Sequence, residues 1–222
     1  MNNHFSVKLS GSAAICLIFI ALLFSCAVMP AIIESPAMQV PESPVVQIPV
    51  KPEKPEVPEL IMGNGLVSAN NLSSFLLGIN PGADASFVEG LAFIYIEEAE
   101  LEGVNHDIAF AQMCLETGYL RFGNLVSPEQ NNFAGLGAIG PGQPGLFFPT
   151  PRIGVRAQIQ HLKAYACDEP LNQELVNPRF RFVRRGSAPS ISGLAGTWAA
   201  DRSYAEKINA ILNSLYNFSF EN

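Results

Sequence analysis

The sequence predicts a mainly α-helical domain with a small irregular or β lobe, and three observations lead there. Apolar residues recur at helical spacing in blocks bounded by capping residues, glycines or Thr-Pro. The stretch from Gly123 to Gly145 breaks that period and is dense in Gly, Pro and Asn, which marks a loop-rich lobe with room for one short helical turn. Ahead of Ile61, prolines recur every few residues and bar both a helix interior and a sheet ladder.

At 222 residues the chain has room for one ordinary domain plus extensions. Lys8 precedes an apolar run, Ala13 to Phe24, that is shorter than the roughly 20 residues of a spanning helix and so reads as a signal peptide over residues 1–25. LFSC at its end resembles the bacterial lipoprotein box, which implies that Cys26 is acylated and held in a lipid bilayer. The alternatives are a conventional cleaved signal and an uncleaved anchor. Each places the rest outside the cytoplasm, as a cell-envelope protein of the periplasm or surface. Residues 26–60 then form a Pro-rich tether, whose roughly 30 residues would reach about 90 Å at ~3.1 Å each.

From Ile61 the composition turns globular, giving a domain over residues 61–222. Asn70 to Leu77 forms a short helix and NPGAD a turn. Asp84 starts a helix carrying Val88, Leu91, Ala92, Tyr95 and Ala99 on one stripe and closing at Gly103. Its Glu97, Glu98, Glu100 and Glu102 read as a solvated acidic face. Leu146, Phe147 and Phe148 suggest a strand or one arm of a hairpin bordering a cleft. Thr150 and Pro151 supply a cap and first position for a helix bearing Val155, Ile159, Leu162 and Ala166. His161 on that helix reads as a hydrogen-bonded structural histidine, the competing role being a base. The last helical region begins around Leu194, and Asp201 caps a helix carrying Tyr204, Ile208, Ile211, Leu212 and Leu215.

The chemistry centres on Glu116. Asn105 caps a helix with Asp107 in its first turn and Ile108, Ala111 and Leu115 on its apolar stripe, and Gly118 ends it. Glu116 therefore falls in the last turn, at the negative end of the helix dipole and beside Met113, Cys114 and Leu115, where its carboxyl pKa is raised. A carboxylic acid kept protonated near neutral pH is what a general acid requires. The bland alternative is a surface glutamate on a frayed helix end. Gln130, Asn131, Asn132, Phe133 and Gly135 follow, joining side-chain amides, a ring and a glycine into a set able to bond and stack on a sugar.

AQMCLETG at Glu116, QNNFAGLGA after it, the GVRAQIQHLKAY helix and WAADRSYAEKI occur together and in one order. In these blocks the chain resembles the bacterial cell-wall N-acetylglucosaminidases, glycoside hydrolase family 73, with a mannosyl-glycoprotein endo-β-N-acetylglucosaminidase type of domain. The resemblance covers most of residues 61–222 and implies a lysozyme-like fold with Glu116 at the foot of a groove. It implies cleavage of the β-1,4 bond after N-acetylglucosamine in peptidoglycan strands, with Glu116 as general acid and Tyr204 of YAEKI facing the cleft. Asn131, Asn132, Phe133, Gly135, Phe148 and Trp198 are the candidate substrate contacts, Trp198 being either core or sugar platform. Relatives often carry an acidic residue in the lobe, but no Asp or Glu lies between Glu129 and Asp168 here. Attack by the substrate's own acetamido group, or a water activated by a distant acid such as Glu129, would replace it. A non-catalytic wall-binding lipoprotein, a lytic transglycosylase and an envelope scaffold are the rival functions.

The net charge of −7 argues against general nucleic-acid binding, although Arg179, Arg181, Arg184 and Arg185 crowd one loop suited to an anionic polymer. Cys16 lies in the signal, so Cys114 and Cys167 remain, either bridged or as free thiols. The absence of a CxxC or HExxH element predicts no metal, and no cofactor is expected.

Overall fold

A computed structural model describes residues 54–123, 125–140 and 142–221, without the side chain of Ile139. The signal segment, Cys26 and most of the tether lie outside the described residues. The fold is mainly helical, as expected for a lysozyme-like domain: α1 (Ala69–Ile79), α2 (Ala85–Glu102), α3 (His106–Thr117), α4 (Pro151–Ala166), α5 (Ile191–Leu194) and α6 (Tyr204–Phe220). Its only named sheet among the described residues is an antiparallel pair, β1 (Ala138–Gly140) with β2 (Gln143–Pro144).

Ser68, Asp84, Asn105 and Thr150 cap their helices by accepting backbone N–H groups, each bond contributing about 1 kcal/mol. Helix α3 is the centre. Ile108, Ala109, Phe110, Ala111, Gln112, Met113 and Cys114 are all buried, so this helix has no solvent face over its middle and must be surrounded by the others. α1 packs on α2, α2 on α4, and α6 on α3. Tyr95 of α2 meets Phe110 of α3 edge to face, with ring centroids 5.5 Å apart. The buried Asp107 carboxylate accepts the backbone N–H groups of Leu66 and Val67 and the Tyr216 hydroxyl, tying α6 and the segment before α1 to the start of α3.

Several expectations require correction. The acidic face of α2 is solvated only in part, because Glu98 and Glu102 are buried. Glu98 accepts from Arg152, Arg156 and Gln173, while Glu102 accepts Lys163 Nζ at 2.9 Å and the backbone N–H groups of Asn172 and Gln173. Burial without such partners would cost several kcal/mol per charge, so these acids serve to pin α4 and its following loop to α2. The hairpin lies just before Leu146–Phe148, which is irregular: Phe147 is exposed and Phe148 is buried against Ala134, Leu136 and Ala157. α6 begins after Ser203, and Asp201 instead accepts the Ser203 N–H and pairs with Lys207. The helical region expected to begin around Leu194 is instead the short α5, which ends at that residue. Residues 54–60, assigned to the tether, lie along the domain: Glu59 and Pro189 carbonyls accept from Ile191 and Ile61, and Leu60 bridges Ser190. Cys114 and Cys167 are free thiols.

Candidate active site

Helix α3 ends at Gly118, whose φ of +59° is the left-handed cap that lets the chain turn back over the helix end. Tyr119, Leu120 and Phe122 continue at positive φ, held in part by Thr117 Oγ1, which accepts the Leu120 N–H and donates to the Met113 carbonyl. Left-handed non-glycine residues cost of order 1–3 kcal/mol each, so the backbone beside Glu116 is strained and supported from the core.

Glu116 sits in a mostly dry setting. Tyr204 Oη donates to its Oε1 at 2.5 Å and Trp198 Nε1 donates to the same oxygen at 3.2 Å. Burial raises the carboxyl pKa, and these two donors pull back against that rise without cancelling it. Burial, more than the helix dipole invoked from sequence, is therefore the main cause. Tyr204 is pushed well above its ordinary pKa by burial and then by Glu116, so it stays a protonated donor.

Behind this pair runs a buried chain of side chains. Gln158 Nε2 donates to the Ala109 carbonyl at 3.0 Å and to Gln112 Oε1 at 2.8 Å, while its Oε1 accepts the Tyr95 hydroxyl at 2.6 Å. Gln112 Nε2 donates to Tyr204 Oη at 3.0 Å. A backbone carbonyl only accepts, so Ala109 sets the amide orientation of Gln158, Gln158 sets that of Gln112, and Gln112 leaves the Tyr204 hydrogen one direction, toward Glu116. Sequence reasoning missed Gln112 and Gln158. The available signal was a glutamine four residues before Glu116, hence on the same helix face, in an otherwise apolar helix.

The lobe residues divide. Gly135 lies beside the acid, since a Cβ built on it would stand 3.7 Å from Glu116 Oε2. Asn132 is fully buried, with its amide donating to the Leu136 and Leu146 carbonyls and accepting the Leu136 N–H, so it has no group to offer a sugar. Phe133 is core, Phe148 is core of the lobe, Gln130 bonds Ser127, Pro144 and Leu146, and Asn131 donates to the Phe148 carbonyl. The burial of Asn132, Phe133 and Phe148 sets them to packing rather than to the sugar contacts expected of them, while Asn131 is half-buried at the lobe surface. The lobe docks against α4 at Gly154, where any Cβ would fall 1.7 Å from the Asn131 carbonyl oxygen.

Two adjoining cavities flank the lobe edge. One, about 170 Å³, is lined by Glu116, Leu125, Val126, Gly135 and Ala138. The other, about 250 Å³, shares Gly135 and Ala138 and extends past Trp198 to His161, Tyr165 and Arg179. Among the described residues Glu116 is the only acid lining either one. Glu129 is exposed, with its carboxyl held down by the Ser127 side chain, and lines neither cavity. His161 is a structural histidine in that Asn177 Nδ2 donates to its Nδ1, and burial, then Arg179, pulls its pKa down to about 4. Among the described residues no His, Cys, Asp and Glu cluster has the arrangement to hold a metal ion.

The chain is 40% identical over 178 residues to an uncharacterized protein of Borreliella burgdorferi, covering 80% of this chain and 87% of that one. No solved structure matches it. The family model described as mannosyl-glycoprotein endo-beta-N-acetylglucosaminidase matches residues 92–217, from the middle of α2 into α6, a span that contains Glu116, the lobe, Trp198 and Tyr204. This chain therefore belongs to the glucosaminidase family of glycan hydrolases.

Proposed function

We propose that the protein is a peptidoglycan hydrolase that cleaves the β-1,4 bond after N-acetylglucosamine, with Glu116 as general acid. The observation that carries this reading is a half-buried carboxyl with raised pKa that lines a cavity of about 170 Å³ beside the lobe. Oε1 already accepts Tyr204 and Trp198, so the carboxyl proton belongs on Oε2, the oxygen beside Gly135. From there it passes to the glycosidic oxygen as the C1–O bond breaks. Since Glu116 is the only acid among the described residues that line the two cavities, the substrate's acetamido oxygen is the nucleophile at C1, and water then opens the cyclic intermediate. Tyr204 holds Glu116 in register and steadies the carboxylate after the proton has left.

In this reading Cys26 is the lipidated residue, and the domain works outside the cytoplasm at the end of its tether. Trp198 offers a ring face to the larger cavity while its N–H orients the acid. The single lining acid also suits a lytic transglycosylase, in which a muramic hydroxyl takes the nucleophile's place.

A zymogram on purified wall, comparing the wild type with Glu116→Gln, tests the catalytic reading. Loss of clearing with retained wall binding supports it, and equal clearing by both proteins rejects it. Mass spectrometry of the released fragments decides the bond. Reducing N-acetylglucosamine ends support the proposal, whereas 1,6-anhydro-muramic ends favour the transglycosylase.

A further inference from the structure

The larger cavity ends in groups that catalysis at Glu116 does not use. Asn177 is 1% exposed and its Oδ1 accepts the Arg179 N–H at 2.9 Å, which turns its Nδ2 toward His161 Nδ1 at 2.8 Å. A backbone N–H only donates, so Asn177 cannot be reversed, His161 Nδ1 must accept, and the ring proton sits on Nε2. Asn177 is itself fixed to α4, because Gln160 Oε1 accepts the N–H groups of Val176 and Asn177 while Gln160 Nε2 donates to the Glu174 carbonyl. The imidazole packs edge-on against Tyr165 and Trp198, with centroids 5.4 and 4.9 Å away. Trp198 thus touches His161 on one side and Glu116 on the other.

Arg179 lines the same cavity. Among the described residues its guanidinium pairs with no carboxylate, and its recorded contact is the face of Phe182, 4.8 Å from the ring centroid. Its neighbours in the loop are engaged otherwise: Arg181 also covers Phe182, and Arg185 stacks on Phe180 and bonds the Cys167 and Glu169 carbonyls. Arg179, with no carboxylate partner among the described residues, and His161, with its ring proton on Nε2, therefore line one pocket that also reaches Trp198, the partner of Glu116. Among the described residues no acid lines that pocket.

The geometry points to a carboxylate-binding subsite made by Arg179 and His161, which selects glycan strands that carry acidic substituents over neutral ones. The guanidinium fork matches a carboxylate, the imidazole N–H adds a directional donor, and the guanidinium rests over the exposed ring of Phe182. The histidine's low pKa keeps it a neutral donor rather than a second cation at working pH. This inference rests on the peptidoglycan reading, in which carboxylates come from two sources, the lactyl ether of muramic acid or the stem peptide.

The test uses the full chain carrying Glu116→Gln, so that binding is read without turnover, with and without Arg179→Gln. The ligands are strands stripped of peptide, with free lactyl carboxylates; strands with stem peptides, where the lactyl group is an amide; and neutral chito-oligosaccharides of equal length. The expected result is a drop of about tenfold in the acidic-to-neutral affinity ratio, the size of one lost charge-assisted bond, with part of it restored by Arg179→Lys. A loss confined to stripped strands assigns the lactyl carboxylate, and a loss on peptide-bearing strands assigns the stem. An unchanged ratio, whether Arg179→Gln weakens all three ligands alike or none, overturns the subsite. Failure of the wild type to cleave any strand would instead remove the hydrolase reading, and the affinity ratio would still be read.

Discussion

Tyr204 Oη donates to Glu116 Oε1 at 2.5 Å, joining the first residue of α6 to the last turn of α3 across 88 positions of sequence. The bond favours the carboxylate over the acid, so it opposes the rise that burial imposes on Glu116. Tyr204→Phe should therefore raise the Glu116 pKa further. In the proposed mechanism activity requires the protonated acid and falls on the alkaline limb as Glu116 ionises, so that limb should move to higher pH while kcat at the optimum drops by about 10- to 100-fold from lost orientation. A pH–rate profile decides; a limb that stays put or moves down contradicts the assignment.

Gln112 touches neither cavity, yet it orients the Tyr204 hydroxyl. Gln112→Met keeps the volume and removes the donor, leaving Tyr204 free to turn away. The expected outcome is a kcat lower by about tenfold, with KM little changed, since only the orientation of the acid is affected. A rise in KM alone would mean that the glutamine shapes the cavities rather than the acid.

Glu116 costs the fold stability when it ionises. Its folded pKa lies above the ordinary value of 4.5, so its contribution is fully present below that value and is lost as pH rises through the folded pKa. Glu116→Gln cannot ionise. Its gain in Tm over the wild type should be larger at pH 8 than at pH 4, by a few degrees for each kcal/mol removed, roughly 2–4 °C in a domain of this size. Equal gains at both pH values would show that the acid is not held protonated.

Gly135 has a φ of +62° and faces the oxygen assigned the proton. Gly135→Ala should cost about 1 kcal/mol in stability from the left-handed backbone, readable by urea denaturation. Activity should fall much further, because the new methyl would stand 3.7 Å from Oε2, where the proposed mechanism brings the glycosidic oxygen. A loss of activity no greater than the loss of folded protein would contradict that placement.

The Lys163–Glu102 pair is buried on both sides. Lys163→Met leaves Glu102 with only two backbone donors and should destabilise the domain by about 3–5 kcal/mol, seen as a lowered denaturation midpoint. A change below 1 kcal/mol would mean that water reaches the pair.

The sequence by itself determined the local features. Helix starts at Asp84, Asn105 and Thr150, and the ends at Gly103 and Gly118, were legible because a capping side chain and a left-handed glycine act within one turn of the chain. The place of Glu116 in the last turn of α3 was legible because it follows from those ends. The tertiary structure alone decided what each polar side chain serves. Asn132 and Gln130 read as sugar ligands from composition, yet their amides close the lobe; Glu98 and Glu102 read as solvated, yet they meet Arg152, Arg156 and Lys163 from α4. An amide or carboxylate must find a partner once buried, and which partner it finds depends on packing between segments far apart in sequence, which no spacing rule encodes. The same holds for the chain from Tyr95 through Gln158 and Gln112 to Tyr204, whose members come from four helices and converge on Glu116 only when α3 is enclosed.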